Sequence, residues 1–190
     1  MKPDVWLVRH GQTEWSADGR HTGRTDVELT AEGRSAATSL GPVLARHDFA
    51  LVLESPAVRA RDTARLAGFP DAEPDADLWE WNYGELEGLT SDEIHARGPE
   101  WRNWTVWTGS LPGGETISEV AARARRVVAR ADGAGGDVLL FAHGHLLRVL
   151  AAVTLDLDPH AGAHLMLDPA TVSIIGTEHG VRAIHVWNRA

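Results

Sequence analysis

Short apolar runs alternate along this chain with stretches whose apolar positions recur at helical spacing. Val5 to Arg9, "FALVLES" at 49–55 and "DVLLFAH" at 137–143 are compact runs of a length that suits buried strands. "LTAEGRSAATSL" at 29–40 predicts a helix, with Thr30 as N-cap and Gly33 three residues on, so that only half of a capping box is present. Gly41-Pro42 predicts its end or a kink. "SPAVRARDTARLAG" predicts a helix with Ser55 as N-cap and Pro56 in the first turn. "SEVAARARRVVARA" and "HLLRVLAAVTL" predict two more. "ATVSIIGTEHGVRAIHVWN" predicts two strands joined by a turn near Gly180.

Strands that alternate with helices imply βαβ units and right-handed crossovers. The expected fold is α/β, a mostly parallel sheet flanked by helices on both faces, with a C-terminal antiparallel hairpin at its edge. No repeat, linker or low-complexity tract interrupts the chain, so residues 1–190 are expected to form a single domain.

Composition narrows the function. The 43% hydrophobic and 24% charged content is that of a globular protein in water. A formal charge of −9 argues against nucleic acid or an anionic membrane as partner. Absence of Cys excludes a disulfide framework, thiolate zinc and a catalytic thiol, in keeping with a reducing cytoplasm. The apolar run after Lys2 is too short for a signal peptide or membrane span, and cytoplasmic localisation is expected. Of the eight Trp, five cluster, at 79 and 81 and again at 101, 104 and 107. The three-residue recurrence predicts one packed helical face, with a lid over a site as the alternative.

Three strands end on reactive side chains. The first ends in Arg9-His10, the second in Glu54-Ser55 with Arg59 one turn later, and the strand at 137–142 in His143-Gly144-His145. In a parallel sheet these ends share one edge, where open α/β folds place their ligands. Arg9, His10, Arg59 and His143 therefore converge, and helices that start there add positive dipole ends. Such a cluster suits an anion.

The segments "VRHGQTEW", "ESPAVRARDTA", "LWEWNYGELEG", "PGGET" and "FAHGH" resemble, in order, those of the histidine phosphatase superfamily, the phosphoglycerate mutase-like family. "RHGQTEWSADGRHTGRTDVELT" and "LWEWNYGELEGL" are most similar to the sedoheptulose 1,7-bisphosphatase-like phosphatase group. The resemblance implies that His10 is a nucleophile that becomes phosphohistidine. It implies further that Arg9, Arg59 and His143 bind the phosphoryl oxygens, and that Glu80 donates the proton to the leaving group. Substrate contacts are expected from Ser55 and Gly144, and from Thr22, Gly23 and Arg24 at the pocket's fringe. A second phosphate would meet Arg24, Arg97 or Arg102.

Elementary chemistry fits those roles. Two guanidiniums and an imidazolium neutralise a phosphate dianion without a metal or other cofactor. His10 must attack as neutral imidazole, which Arg9 and Arg59 favour, with its other nitrogen held by a backbone carbonyl. His143, against phosphate, is expected to be cationic. Trp79 and Trp81 are placed to desolvate Glu80, and Glu85 and Glu87 to repel its charge, both favouring the protonated acid. The residues alone leave Glu80, Glu85 and Glu87 open for this role; the resemblance ranks Glu80 first. His143 and His145 suggest a metal pair, but no nearby carboxylate completes a ligand set.

Phosphoglycerate mutases of the same superfamily share "HTG" at 21–23, but typically follow it with Trp where this chain has Arg24. They usually carry Asn where this chain has Ser16. Only 34 residues separate Glu80 from Glu115, which leaves less cover over a phosphohistidine and favours water as acceptor. The expectation is a metal-independent phosphatase acting on a small-molecule phosphate ester, a sugar phosphate or bisphosphate, with a homodimer as the candidate assembly. Mutase-type transfer and a non-catalytic phosphate- or phosphopeptide-binding domain are the alternatives.

Overall fold

Val5–Arg9 forms β1, and its burial explains the unbroken "VWLV" run. Val5 and Leu7 face one core, with Leu140, Ala124, Val127, Leu147 and Leu150. Trp6 and Val8 face the other, with Leu40, Leu44, Ala64 and Phe141. A strand covered on both sides has no polar face to alternate with. The protein was studied as a computed structural model that describes residues 2–190.

The other strands are β2 (Leu51–Glu54), β3 (Glu73–Pro74), β4 (Val138–Ala142), β5 (Val172–Glu178) and β6 (Val181–Arg189). They make one six-stranded sheet in the order β3-β2-β4-β1-β5-β6. β1, β2 and β3 run parallel with β4, while β5 and β6 are antiparallel additions beside β1. The β5–β6 turn falls on His179 and Gly180, both at positive φ, the conformation a tight two-residue hairpin needs. Helices are α1 (Glu14–Ala17), α2 (Ala31–Leu44), α3 (Val58–Leu66), α4 (Ser91–His95), α5 (Ile117–Asp132) and α6 (Gly144–Thr154). α2 and α3 cover one face of the sheet, α5 and α6 the other.

The register brings the chemistry together. Arg9 lies opposite Ala142 and Glu54 opposite Phe141, so His10, Ser55 and His143 leave the sheet side by side.

Three local expectations meet a different outcome in whole or in part. The helix end expected at Gly41-Pro42, with a kink as its alternative, falls at Leu44, since α2 runs through both residues. Pro42 deprives only the carbonyl of Thr38 of a helical donor; both residues face solvent, and buried Leu40 and Leu44 anchor the last turn. α3 begins at Val58 with Ala57 as its N-cap, not Ser55. Its first N–H is capped from outside, Val58 N donating to Asp26 Oδ1 at 2.8 Å, while Ser55 Oγ accepts from Ala57 N at 3.3 Å and faces His143 Nε2. Trp101, Trp104 and Trp107 share no helix; a 3-10 turn at Pro99–Trp101 gives way to turns. All three still pack on the α5–α6 core, in irregular backbone broken by Gly98, Pro99 and Gly109.

Candidate active site

His10 continues the β1 pairing, its N–H donating to Ala142 O at 2.9 Å. Its ring is buried, and Nδ1 lies 2.7 Å from Gly11 O. A carbonyl only accepts, so Nδ1 carries the proton and Nε2 keeps its lone pair. Burial, then the charges of Arg59 and Arg9, holds the imidazole well below its usual pKa, in the neutral form. Gly11 is required here: a Cβ would stand 2.5 Å from Gly33 O at the start of α2.

Arg59 has no exposed surface. Nη1 donates to Thr25 O, Nη2 to Thr22 O and Gly23 O, and Nε to His143 Nδ1 at 3.2 Å. His143 is equally buried, its ring centroid 5.2 Å from that of His10. Because Nδ1 accepts from a guanidinium, the ring proton sits on Nε2, which donates to Ser55 Oγ at 2.7 Å. Burial, followed by Arg59 and His10, holds His143 well below its usual pKa. Without a phosphate beside it His143 is thus a neutral donor; the imidazolium was expected against a bound phosphate. Arg59, His143 and Ser55 stand as a layer behind His10 and not on the open wall.

The open wall belongs to Arg9, His10, Thr22, Glu80 and Gly144, which line a pocket of about 270 Å³. Arg9 gives Nη1 to Leu167 O, while its buried Nε has no partner. Gly144 lets that guanidinium in close, since a Cβ there would lie 3.3 Å from Arg9 Nε. Glu80 is buried and caps α6: Oε1 accepts from Leu146 N at 2.8 Å and Trp81 N at 2.9 Å, Oε2 from His145 N at 3.0 Å. Among the described residues it is the one carboxylate lining the pocket.

Glu85 is exposed and away from the pocket. Glu87 braces the loop that holds Arg59, its Oε1 accepting from Gly23 N at 3.0 Å and Thr25 N at 2.7 Å. Gly23 serves this close packing, its carbonyl on Arg59. Arg24 stacks on Trp79 at 5.1 Å and Arg97 on Trp101 at 5.1 Å, and neither they nor exposed Arg102 line the pocket. The three arginines named for a second phosphate therefore stand outside this pocket, two of them on aromatic faces.

Arg20, His21, Tyr83, His145 and Arg148 also line the pocket, without a role expected for them from the sequence. The Tyr83 phenol, pushed well above its usual pKa by burial and then by Glu80, stays protonated 2.6 Å from His145 Nδ1. His145 is held well below its usual pKa by burial, then by Arg148 and His21. The rings of His21 and His145 stack at 6.2 Å, with Trp104 and Trp107 edge-on behind them. "HTG" and "HGH" carried the two histidines; nothing in the pattern marked Arg20 or Arg148.

Comparison with known proteins fits this geometry. The profile of the Histidine phosphatase superfamily (branch 1) matches residues 5–190. The chain is 41% identical over 184 residues to an "Acid phosphatase" of Mycobacterium tuberculosis, covering 95% of this chain and 89% of that protein. It is 34% identical over 183 residues to the "Sedoheptulose 1,7-bisphosphatase" of Saccharomyces cerevisiae, covering 80% and 68%. The solved structure of an open reading frame product of Mycobacterium tuberculosis superposes with a TM-score of 0.92 at 37% identity, covering 100% and 99% of the two chains.

Proposed function

The chain belongs to the histidine phosphatase superfamily, and from that premise we propose that it is a metal-independent phosphomonoesterase that works through phosphorylated His10 on a small phosphorylated sugar or polyol. One observation carries the mechanism: a neutral, buried imidazole with Nδ1–H fixed on Gly11 O lines a pocket whose carboxylate is Glu80. The substrate class rests on the pocket's modest volume and on relatives named for sugar phosphates.

In the first step Nε2 of His10 attacks phosphorus, the ester P–O bond breaks, and the departing alkoxide takes a proton from Glu80. Oε2 is the oxygen for that proton, because it accepts one backbone N–H where Oε1 accepts two. Arg9, with donors to spare, meets the phosphoryl oxygens directly, and the start of α6 at Gly144 adds its dipole. His143 offers the Nε2–H now given to Ser55, and Arg59 supplies fixed charge one layer behind. In the second step water gives its proton to the Glu80 carboxylate, its oxygen bonds phosphorus, and the N–P bond breaks. His10 and protonated Glu80 are restored, and phosphate leaves.

Rapid quench with labelled sugar phosphate should trap an acid-labile, base-stable phosphoprotein that His10→Ala abolishes. Label on Ser or Asp would overturn the mechanism. Transfer of the label to added phosphoglycerate in preference to water would make the protein a mutase. Absence of any turnover would leave a binding domain.

A further inference from the structure

The backbone that carries Glu80 has no regular structure to hold it. A 3-10 turn ends at Leu78, and the next begins at Gly84. Between them the chain is gripped by two side chains from outside. Arg123, two turns into α5 and almost fully buried, donates through Nη1 to Asp77 O at 2.9 Å and Trp79 O at 2.5 Å, just ahead of Glu80. Its Nε and Nη2 form a fork on Glu115, at 2.9 Å to Oε1 and 3.1 Å to Oε2. Glu115 in turn seizes the segment just past Glu80. Its Oε2 accepts from Asn82 N at 2.8 Å, its carbonyl from Trp81 Nε1 at 2.7 Å, and its own N–H donates to Asn82 O at 2.9 Å.

We propose that the Arg123–Glu115 pair is a positioning device for the acid, fixing the Glu80 carboxylate relative to His10. This rests on the reading of Glu80 as proton donor. Neither residue lines the pocket, so neither touches substrate. Their bonds fall on both sides of Glu80, which distinguishes a clamp on that residue from general support of α5. Guanidinium geometry suits the task, since the planar fork spreads its donors over two carbonyls and both carboxylate oxygens; an ammonium, with three donors on one atom, cannot span all four. A carboxyl displaced by about an ångström loses proton transfer in flight, and misplacements of that size cost on the order of 10²-fold.

The test compares single-turnover phosphorylation by a sugar phosphate, whose alkoxide needs the proton, with p-nitrophenyl phosphate, whose phenolate does not. Arg123→Lys should slow the sugar phosphate roughly 10- to 100-fold while p-nitrophenyl phosphate changes by less than about threefold. KM for both substrates should stay near wild type. In a Glu80→Gln background, Arg123→Lys should add no further loss on the sugar phosphate, the signature of one coupled unit. Equal loss on both substrates, or additive loss in that background, overturns the proposal. If Glu80→Gln itself leaves both rates unchanged, the acid assignment fails with it, and that result is separate from any effect of Arg123. Should Arg123→Lys fail to fold, Glu115→Gln, which keeps the shape and one acceptor oxygen, takes the same test with the same outcomes.

Discussion

Acid is the perturbation to which this site is most exposed. His10, His143 and His145 are held well below the usual imidazole pKa, by burial first and then by neighbouring charges. His21 shifts in the same direction, also through burial. In the unfolded chain each titrates near 6.5. Below that pH the unfolded state binds protons that the folded state refuses, so stability rises with pH across this window. The contribution is complete above the unfolded value and is lost as pH falls through about 6.5 toward the depressed folded values. If the folded rings stay neutral, each withdraws about 1.3 kcal/mol between pH 7 and 5.5, and three together about 4 kcal/mol. Against a typical total of roughly 5–15 kcal/mol, that is a large share. Urea unfolding followed by Trp fluorescence at pH 7.0, 6.0 and 5.5 measures it. Calorimetry near pH 5.5 should show uptake of about three protons on unfolding. A stability that is flat or rising on acidification, or net proton release, would refute the neutral assignments.

Other consequences follow from the same geometry. Because His10 is already neutral in the folded protein, the acid limb of the single-turnover phosphorylation rate should lie below pH 6.5; a midpoint at the free-imidazole value would contradict the buried Nδ1–Gly11 pairing. Glu87→Gln keeps an acceptor for Gly23 N and Thr25 N and should leave leaving-group dependence unchanged. Glu87→Ala should lower the urea midpoint by about 1–3 kcal/mol worth of lost hydrogen bonding, and a leaving-group-dependent loss in either variant would make Glu87 the acid. Exhaustive chelation should leave turnover intact if guanidiniums neutralise the phosphate charge; restoration of a lost activity by zinc or magnesium would overturn that.

The sheet and its reactive edge were legible because they depend on period and register. Alternate burial of Val5, Trp6, Leu7 and Val8 demands cover on both faces, and parallel pairing then places Arg9, Ser55 and His143 together. Details set by tertiary partners were not legible. Ser55 has a sound N-cap sequence, yet His143 occupies its hydroxyl and Asp26 caps the helix instead. His143 was expected to be charged against a bound phosphate; in the fold Ser55 Oγ, at 2.7 Å, faces one ring nitrogen and the Arg59 guanidinium, at 3.2 Å, donates to the other, the nitrogen a second proton would need. Arg20 and Arg148 reach the pocket from ordinary surface and helix contexts, where an arginine carries no distinguishing pattern.

On the proposed mechanism, Glu80 shows how the fold joins acid and phosphate site in one object. Its carboxylate is the N-terminal cap of α6, accepting the N–H groups of His145 and Leu146. The same helix opens at Gly144, immediately after His143, and Gly144 makes room for Arg9. The start of α6 and the Glu80 carboxylate are therefore tied directly to one another. A carboxylate on a free loop would gain reach but lose that coupling. Capping also restricts Glu80: its acceptor sites facing α6 and Trp81 N are taken, so a proton delivered to a leaving oxygen departs from the remaining face of Oε2. On the proposed mechanism the leaving group approaches from that side, a direction set by hydrogen bonds that belong to the helix and are made before any substrate arrives.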